Sequence, residues 1–330
     1  MSRMSRLWSF LVVLVIQLHC VVHGYMIDQD CGGQCNALAM FINLLTLASD
    51  DRQFVQNRVD AAFRLIENSV TEMNRSPINT QIDDLYYTLL GRRFGAQSTV
   101  KTNFENLLRL RNRNDNDQTS HTQNGQIDFR FYCTVKRIEK RGDRYWNKDR
   151  NMVYKLDEIT SPGGRFANCM DLTSPALMIT FTNTEFKYSE IQICPWFLSK
   201  VRGYKFKDLS SLPSAVFSLV ARVAVPIAAR VMYTPIDSFS LMDKTLVHEM
   251  THTDQFSPPT IDVEGDPYGF MNAQRVAADW VRDNSKPDPM RNADNYSLFA
   301  VGTWIIAKGG GPINPDGTFR APQSTPKPRI

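Results

Sequence analysis

Histidine is scarce in this chain. Of five, His19 and His23 sit in an apolar leader, which leaves His121, His248 and His252. No histidine follows His252, so a His-x-x-His-x-x-Gly-x-x-His metal site is excluded. Cysteine is nearly as rare at six, too few for a small disulfide scaffold in a chain of 330 residues. Cys31-Gly-Gly-Gln-Cys35 has no matching second pair, so a structural disulfide role is favoured over a zinc knuckle. Neither sign of charge dominates. Basic side chains number 38 against 34 acidic, and two of the basic ones, Arg3 and Arg6, belong to the leader. Nothing in that balance calls for nucleic acid or an anionic membrane. Internal repeats are absent. With 42% hydrophobic residues the chain is neither wholly disordered nor collagen-like.

The leader spans residues 1–24. It starts basic, runs apolar through residues 7–22 apart from Ser9, Gln17 and His19, and ends on the small residues Val22 and Gly24. This pattern reads as a secretory signal peptide, and the run is too short and interrupted for a membrane span. Secretion makes the cysteines legible. Cys31, Cys35, Cys133, Cys169 and Cys194 remain, enough for two bridges and one leftover thiol. Asn74 and Asn295 head glycosylation sequons, the first weakened by Pro77.

Helical periodicity is expected over residues 36–48, 52–73, 82–90 and 100–110, followed by a polar loop over 111–126 that holds His121. Alternation predicts strands over 129–138, 177–182 and 191–197. The basic run at 136–150 reads as a solvated hairpin. Residues 212–232 are apolar but interrupted by Arg222, Pro226 and Arg230, which favours a buried helix broken near Pro226 over a membrane span. Asp237 or Ser238 offers an N-cap for a helix running to about His252, and two more helices are expected over 273–281 and 294–308. Residues 25–308 form one domain on this reading. Residues 309–330, with five prolines, are expected to be a disordered tail.

The chemistry concentrates in His248-Glu249-Met250-Thr251-His252. On a helix, residues four apart share a face, so both imidazoles can reach one ion. Zinc suits imidazole nitrogens in a tetrahedral site with one open position. Glu249 can then face the water that the ion activates and take its proton. A third protein ligand is needed. The only later glutamate is Glu264, in a loop-like segment, so aspartate is favoured: Asp254, Asp262 or Asp266. Asp254 lies too near the helix end to turn back easily. Asp262 comes after the Ser257-Pro258-Pro259 turn, which gives the chain room to return.

His-Glu-x-x-His followed by aspartate and then Tyr268-Gly269 resembles the aspzincins, the deuterolysins and fungal lysine-specific metallo-endopeptidases. Cys194-Pro195-Trp196-Phe197 and Asn292-Ala293-Asp294-Asn295-Tyr296 also resemble that family's segments before and after the metal helix. The likeness runs loosely from residue 31 to 308 and is specific only over 248–300. The resemblance implies an α+β, zincin-like metallopeptidase with a helical amino-terminal part, a mostly antiparallel sheet and an HExxH helix. It implies Zn2+ on His248, His252 and Asp262, with Asp266 as the alternative. The family places its aspartate three residues before the tyrosine, where this chain has Gly265. Glu249 would be the general base. Tyr268 would stabilise the oxyanion of the tetrahedral intermediate, unless it is simply a core tyrosine. Asp294 matches a position lining the pocket for the residue after the scissile bond, which implies a leaning toward a basic residue there; its plainer reading is a cap on the last helix. Lysine-specific members carry a glutamate where this chain has Ser297. If that pocket is real, a glycan at Asn295 would crowd it and the sequon should be unused.

The expected function is a secreted zinc endopeptidase acting on protein or peptide substrates. Its rivals are an inactive secreted binding or effector protein on the same fold, and a peptidase whose residues 25–126 are a removable pro-segment.

Overall fold

The computed structural model describes residues 25–31, 50–95, 98–112, 129–141, 144–148, 152–154, 169, 176–183, 188–203, 234–238, 241–263 and 268–319. The leader, the helices expected over 36–48 and 212–232, His121, Cys35, Asp266 and residues 320–330 lie outside them.

Three helices come first. α1 (Asp50–Met73) turns Val55, Val59, Ala62, Phe63, Ile66 and Val70 inward at helical spacing. α2 (Thr80–Leu90) starts where the Asn79 side chain accepts from Gln81 N at 2.9 Å. It stops at Gly91, which is left-handed at φ 67°. α3 (Thr99–Asn112) packs back on α1.

The main sheet has strand order β1-β2-β7-β6, built from β1 (Tyr25–Ile27), β2 (Phe129–Tyr132), β6 (Met178–Asn183) and β7 (Tyr188–Ile193). β1 and β7 run parallel to β2, and only β6 is antiparallel to its neighbour. The expected mostly antiparallel sheet is therefore corrected to a mixed one, because β1 and β2 are joined through the long helical segment rather than a hairpin. A separate antiparallel meander, β3 (Ile138–Arg141), β4 (Arg144–Asn147) and β5 (Met152–Tyr154), realises the expected hairpin. The two sheets are tied by Arg137, whose guanidinium lies 3.2 Å from Glu190 and 2.6 Å from Gln192.

Two strand expectations change. The run over 129–138 is broken, because the Asp30 carboxylate accepts from Cys133 N and Thr134 N, both at 3.1 Å, and ends the ladder. The run over 191–197 ends at Ile193, because Pro195 occupies the first turn of α4 (Pro195–Arg202).

After a single turn at Pro235–Ser238 come α5 (Leu241–Thr251), α6 (Phe270–Arg282) and α7 (Ala293–Ala307). The helix expected to run to about His252 is described over Leu241–Thr251. α7 is buried on every side from Ala293 to Ile306 and packs against α1, α2, α5 and α6. A helix apolar on all faces belongs at the centre of a core. At Gly302, a Cβ would sit 2.5 Å from Leu85 Cδ2, so α2 and α7 approach closely there.

Residues 309–319 are not the free tail expected of them. Gly310 N donates to Ile305 O at 2.9 Å, Ile236 N donates to Gly317 O at 3.2 Å, and Phe319 is buried. Disulfides join Cys31 to Cys133 and Cys169 to Cys194. Among the described residues no helix is long and apolar enough to cross a membrane.

Candidate metal centre

α5 divides its faces by chemistry. Met242, Leu246 and Met250 enter the core, while His248 turns toward the loop after the helix and Glu249 toward the main sheet. His252 lies one residue past the helix end, but His252 N still donates to Glu249 O at 3.1 Å, so its ring stays on the face of His248. The chain then folds back. Thr260 N donates to Thr251 O at 2.9 Å, and the two threonine hydroxyls meet at 2.7 Å. Ile261 pairs with the segment leading into α7: its N donates to Arg291 O at 2.7 Å, and its O accepts from Ala293 N at 3.1 Å. These bonds set Asp262 over the two histidines.

Asp262 Oδ1 lies 3.1 Å from His248 Nε2 and 3.5 Å from His252 Nε2, and the two nitrogens are 3.2 Å apart. Atoms bound to a tetrahedral zinc at about 2.0–2.1 Å sit about 3.3–3.4 Å from one another. The observed triangle matches that spacing on all three edges. The donors are also oriented. His252 Nδ1 faces the Thr260 carbonyl at 2.9 Å, and a carbonyl can only accept, so Nδ1 carries the proton. His248 Nδ1 faces Asp294 Oδ1 at 3.2 Å in the same way. Both Nε2 atoms thus aim lone pairs at one point beside a carboxylate oxygen. The residues present fit a zinc ion.

Among the protein groups alone these atoms behave as an ion pair. Burial opposes charge on His248, but Asp262, by charge and hydrogen bond, and the bond to Asp294 outweigh it and lift the imidazole to about 10. Burial likewise opposes charge on Asp262, yet His248 and His252 hold its carboxyl well below the usual carboxylate range. A cation at this point would take the place of the proton.

Glu249 is buried, and its Oε2 accepts from Thr180 Oγ1 at 2.7 Å. Thr180 stands on β6, the edge strand among the described residues, as does Thr182, whose hydroxyl donates to His252 O at 3.1 Å. Tyr268 donates its hydroxyl to Asp262 Oδ2 at 3.0 Å and is 44% exposed, so it is no core tyrosine. Burial of the phenol oxygen and the charge of Asp262 push its pKa up, which keeps the hydroxyl a neutral donor. Gly269, at φ 87°, makes the turn that presents Tyr268, and Phe270 N donates to Asp237 at 3.0 Å.

Asp294 lies deep in the structure. Its side chain is only 2% exposed, beneath His248, with Lys244 Nζ at 2.8 and 3.0 Å from its two oxygens and Gly269 N donating to it. It neither lines an open pocket nor caps α7, whose N-cap is Asn292. Asn295 is fully buried and donates to Ala273 O at 3.0 Å, which leaves no room for a glycan.

Sequence reasoning missed Lys244, Thr180 and the Thr260 carbonyl. Lys244 had a signal, being four residues before His248 on the same helical face. The other two come from distant segments and had none. A second acidic group, Asp30 with Cys31 and Cys133, also falls within ligand distance, but its sulfurs are spent in a disulfide.

No protein-family profile, curated protein or solved structure matches this chain.

Proposed function

We propose that this protein is a secreted zinc-dependent endopeptidase of the aspzincin type, with a zincin-like arrangement of helix and sheet edge. The observation that carries the reading is the His248–His252–Asp262 triangle, with the Glu249 carboxylate one residue from the first histidine. The apolar leader and the two disulfides support an oxidising, extracellular destination.

Bound zinc would supply Lewis acidity, polarising a carbonyl and acidifying water. The chain's residues do the rest. Glu249 accepts the proton of the attacking water and returns one to the leaving amine. Thr180 holds that carboxylate from β6, so the base and the sheet edge are fixed to each other. β6 is the edge strand among the described residues, and a substrate lying along it in extended form would run beside the base. Tyr268 is half in solvent and gives its one hydroxyl proton to Asp262; swung off that carboxylate, the same hydroxyl can donate to the oxyanion that develops on the scissile carbonyl. The leaning toward a basic residue is not carried forward, since Asp294 is buried and already paired.

Replacing Glu249 by Gln tests the reading. Hydrolysis by purified protein should fall by about 10²–10⁴-fold, the usual worth of a general base, while zinc content stays that of wild type. Unchanged proteolysis in Glu249→Gln would sink the proposal. A folded wild type that neither binds zinc nor cleaves peptides would favour a binding protein on this fold.

A further inference from the structure

We infer that Lys244 and Asp294 form a buried positioning pair for His248, and that this pairing withdraws Asp294 from any basic side chain of a substrate. The inference rests on the peptidase function proposed above. Lys244, His248 and His252 follow one another at four-residue steps along one face of α5 and the turn that ends it. Asp294 enters from the first turn of α7, so the pair also joins the two helices. A carboxylate offers about four lone-pair sites. Lys244 Nζ, which reaches both oxygens, His248 Nδ1 and Gly269 N fill those of Asp294. No site remains for a substrate ammonium.

Each member needs the other. Lys244 and Asp294 are 12% and 2% exposed, so removing either leaves the other's buried charge less well compensated. Held in place by Lys244, Asp294 accepts a hydrogen bond from Nδ1–H of His248, fixing the tautomer and turning Nε2 toward the ligand triangle. Lys244 thus acts on the metal through two other residues. The same contacts make it the cation that an acidic subsite would otherwise have drawn from the substrate.

The test compares wild type with Asp294→Asn, Lys244→Met and the double variant. Zinc affinity is read by competition with a chromophoric chelator, and folding by circular dichroism. Each single variant should bind zinc about 10- to 100-fold more weakly. The double variant should be no worse than the weaker single one, because both act along one path. If Lys244→Met does not fold, the double variant, which buries no charge at these positions, carries the comparison. Folded variants with wild-type zinc affinity would overturn the positioning role and leave the peptidase function standing. Wild type that holds no zinc would overturn both.

Two peptides differing only in Lys or Leu after the scissile bond test the second half. Wild type should cleave them with kcat/KM values within about tenfold of each other, under ~1.4 kcal/mol of discrimination. A larger preference for Lys that vanishes in Asp294→Asn would overturn it.

Discussion

Substituting Thr180 by Val removes one hydroxyl at nearly constant volume, and its effect can be worked from the structure. Thr180 Oγ1 lies 2.7 Å from Glu249 Oε2 and 3.1 Å from the Glu249 carbonyl, with both residues buried. A hydrogen bond to a charged group is worth about 1.5–3 kcal/mol, and a buried acceptor stripped of its donor loses most of that. If the loss falls on the placement of the base, kcat/KM should drop roughly 10- to 100-fold, at about 1.4 kcal/mol per factor of ten. The hydroxyl of Thr180 bonds to Glu249, so the zinc affinity expected of the proposed centre should stay that of wild type. Thr180→Ser, which keeps the hydroxyl, should recover most of the rate. The assay is steady-state hydrolysis of a fluorogenic peptide beside zinc titration of the same preparations. Thr180→Val with wild-type kcat/KM would refute the reasoning, and so would loss of zinc in step with activity.

Tyr268→Phe removes the hydroxyl but keeps the ring against His248, 5.8 Å between centroids. Hydrolysis should fall by about 10²–10³-fold, as for other oxyanion donors, with zinc retained; an unaltered kcat would remove Tyr268 from the mechanism. Gly302→Ala drives a methyl into Leu85 where α2 and α7 meet. It should cost about 1–3 kcal/mol by overpacking, read as a lower midpoint in denaturant unfolding; a midpoint at or above wild type would show that the contact relaxes freely.

The helical amino-terminal part was legible because Val55, Val59, Phe63 and Ile66 keep a 3.6-residue period and face one core. The two histidines of the candidate metal centre are legible for the same reason: a helix turns a four-residue spacing into shared space. Asp262 was legible only as one of several aspartates. What places it is the pairing of Ile261 with Arg291 and Ala293, a contact between distant segments that no local pattern announces. Asp294 stands out in the sequence only through the family resemblance, which says nothing of Lys244. Its neighbour Lys244 comes from another helix, and pairing across helices is set by packing rather than spacing. The parallel pairing of β1 with β2 was hidden likewise, since strands of a few residues carry little periodicity.

The most direct measurement is zinc content, with peptide hydrolysis in the same samples, for secreted wild type and Asp262→Ala. The triangle of His248, His252 and Asp262 predicts one zinc per chain in wild type, and loss of both zinc and activity in the variant. Asp262→Ala that keeps its zinc and still cleaves peptides would contradict the assignment of the third ligand. Folded wild type without zinc would contradict the metal centre itself.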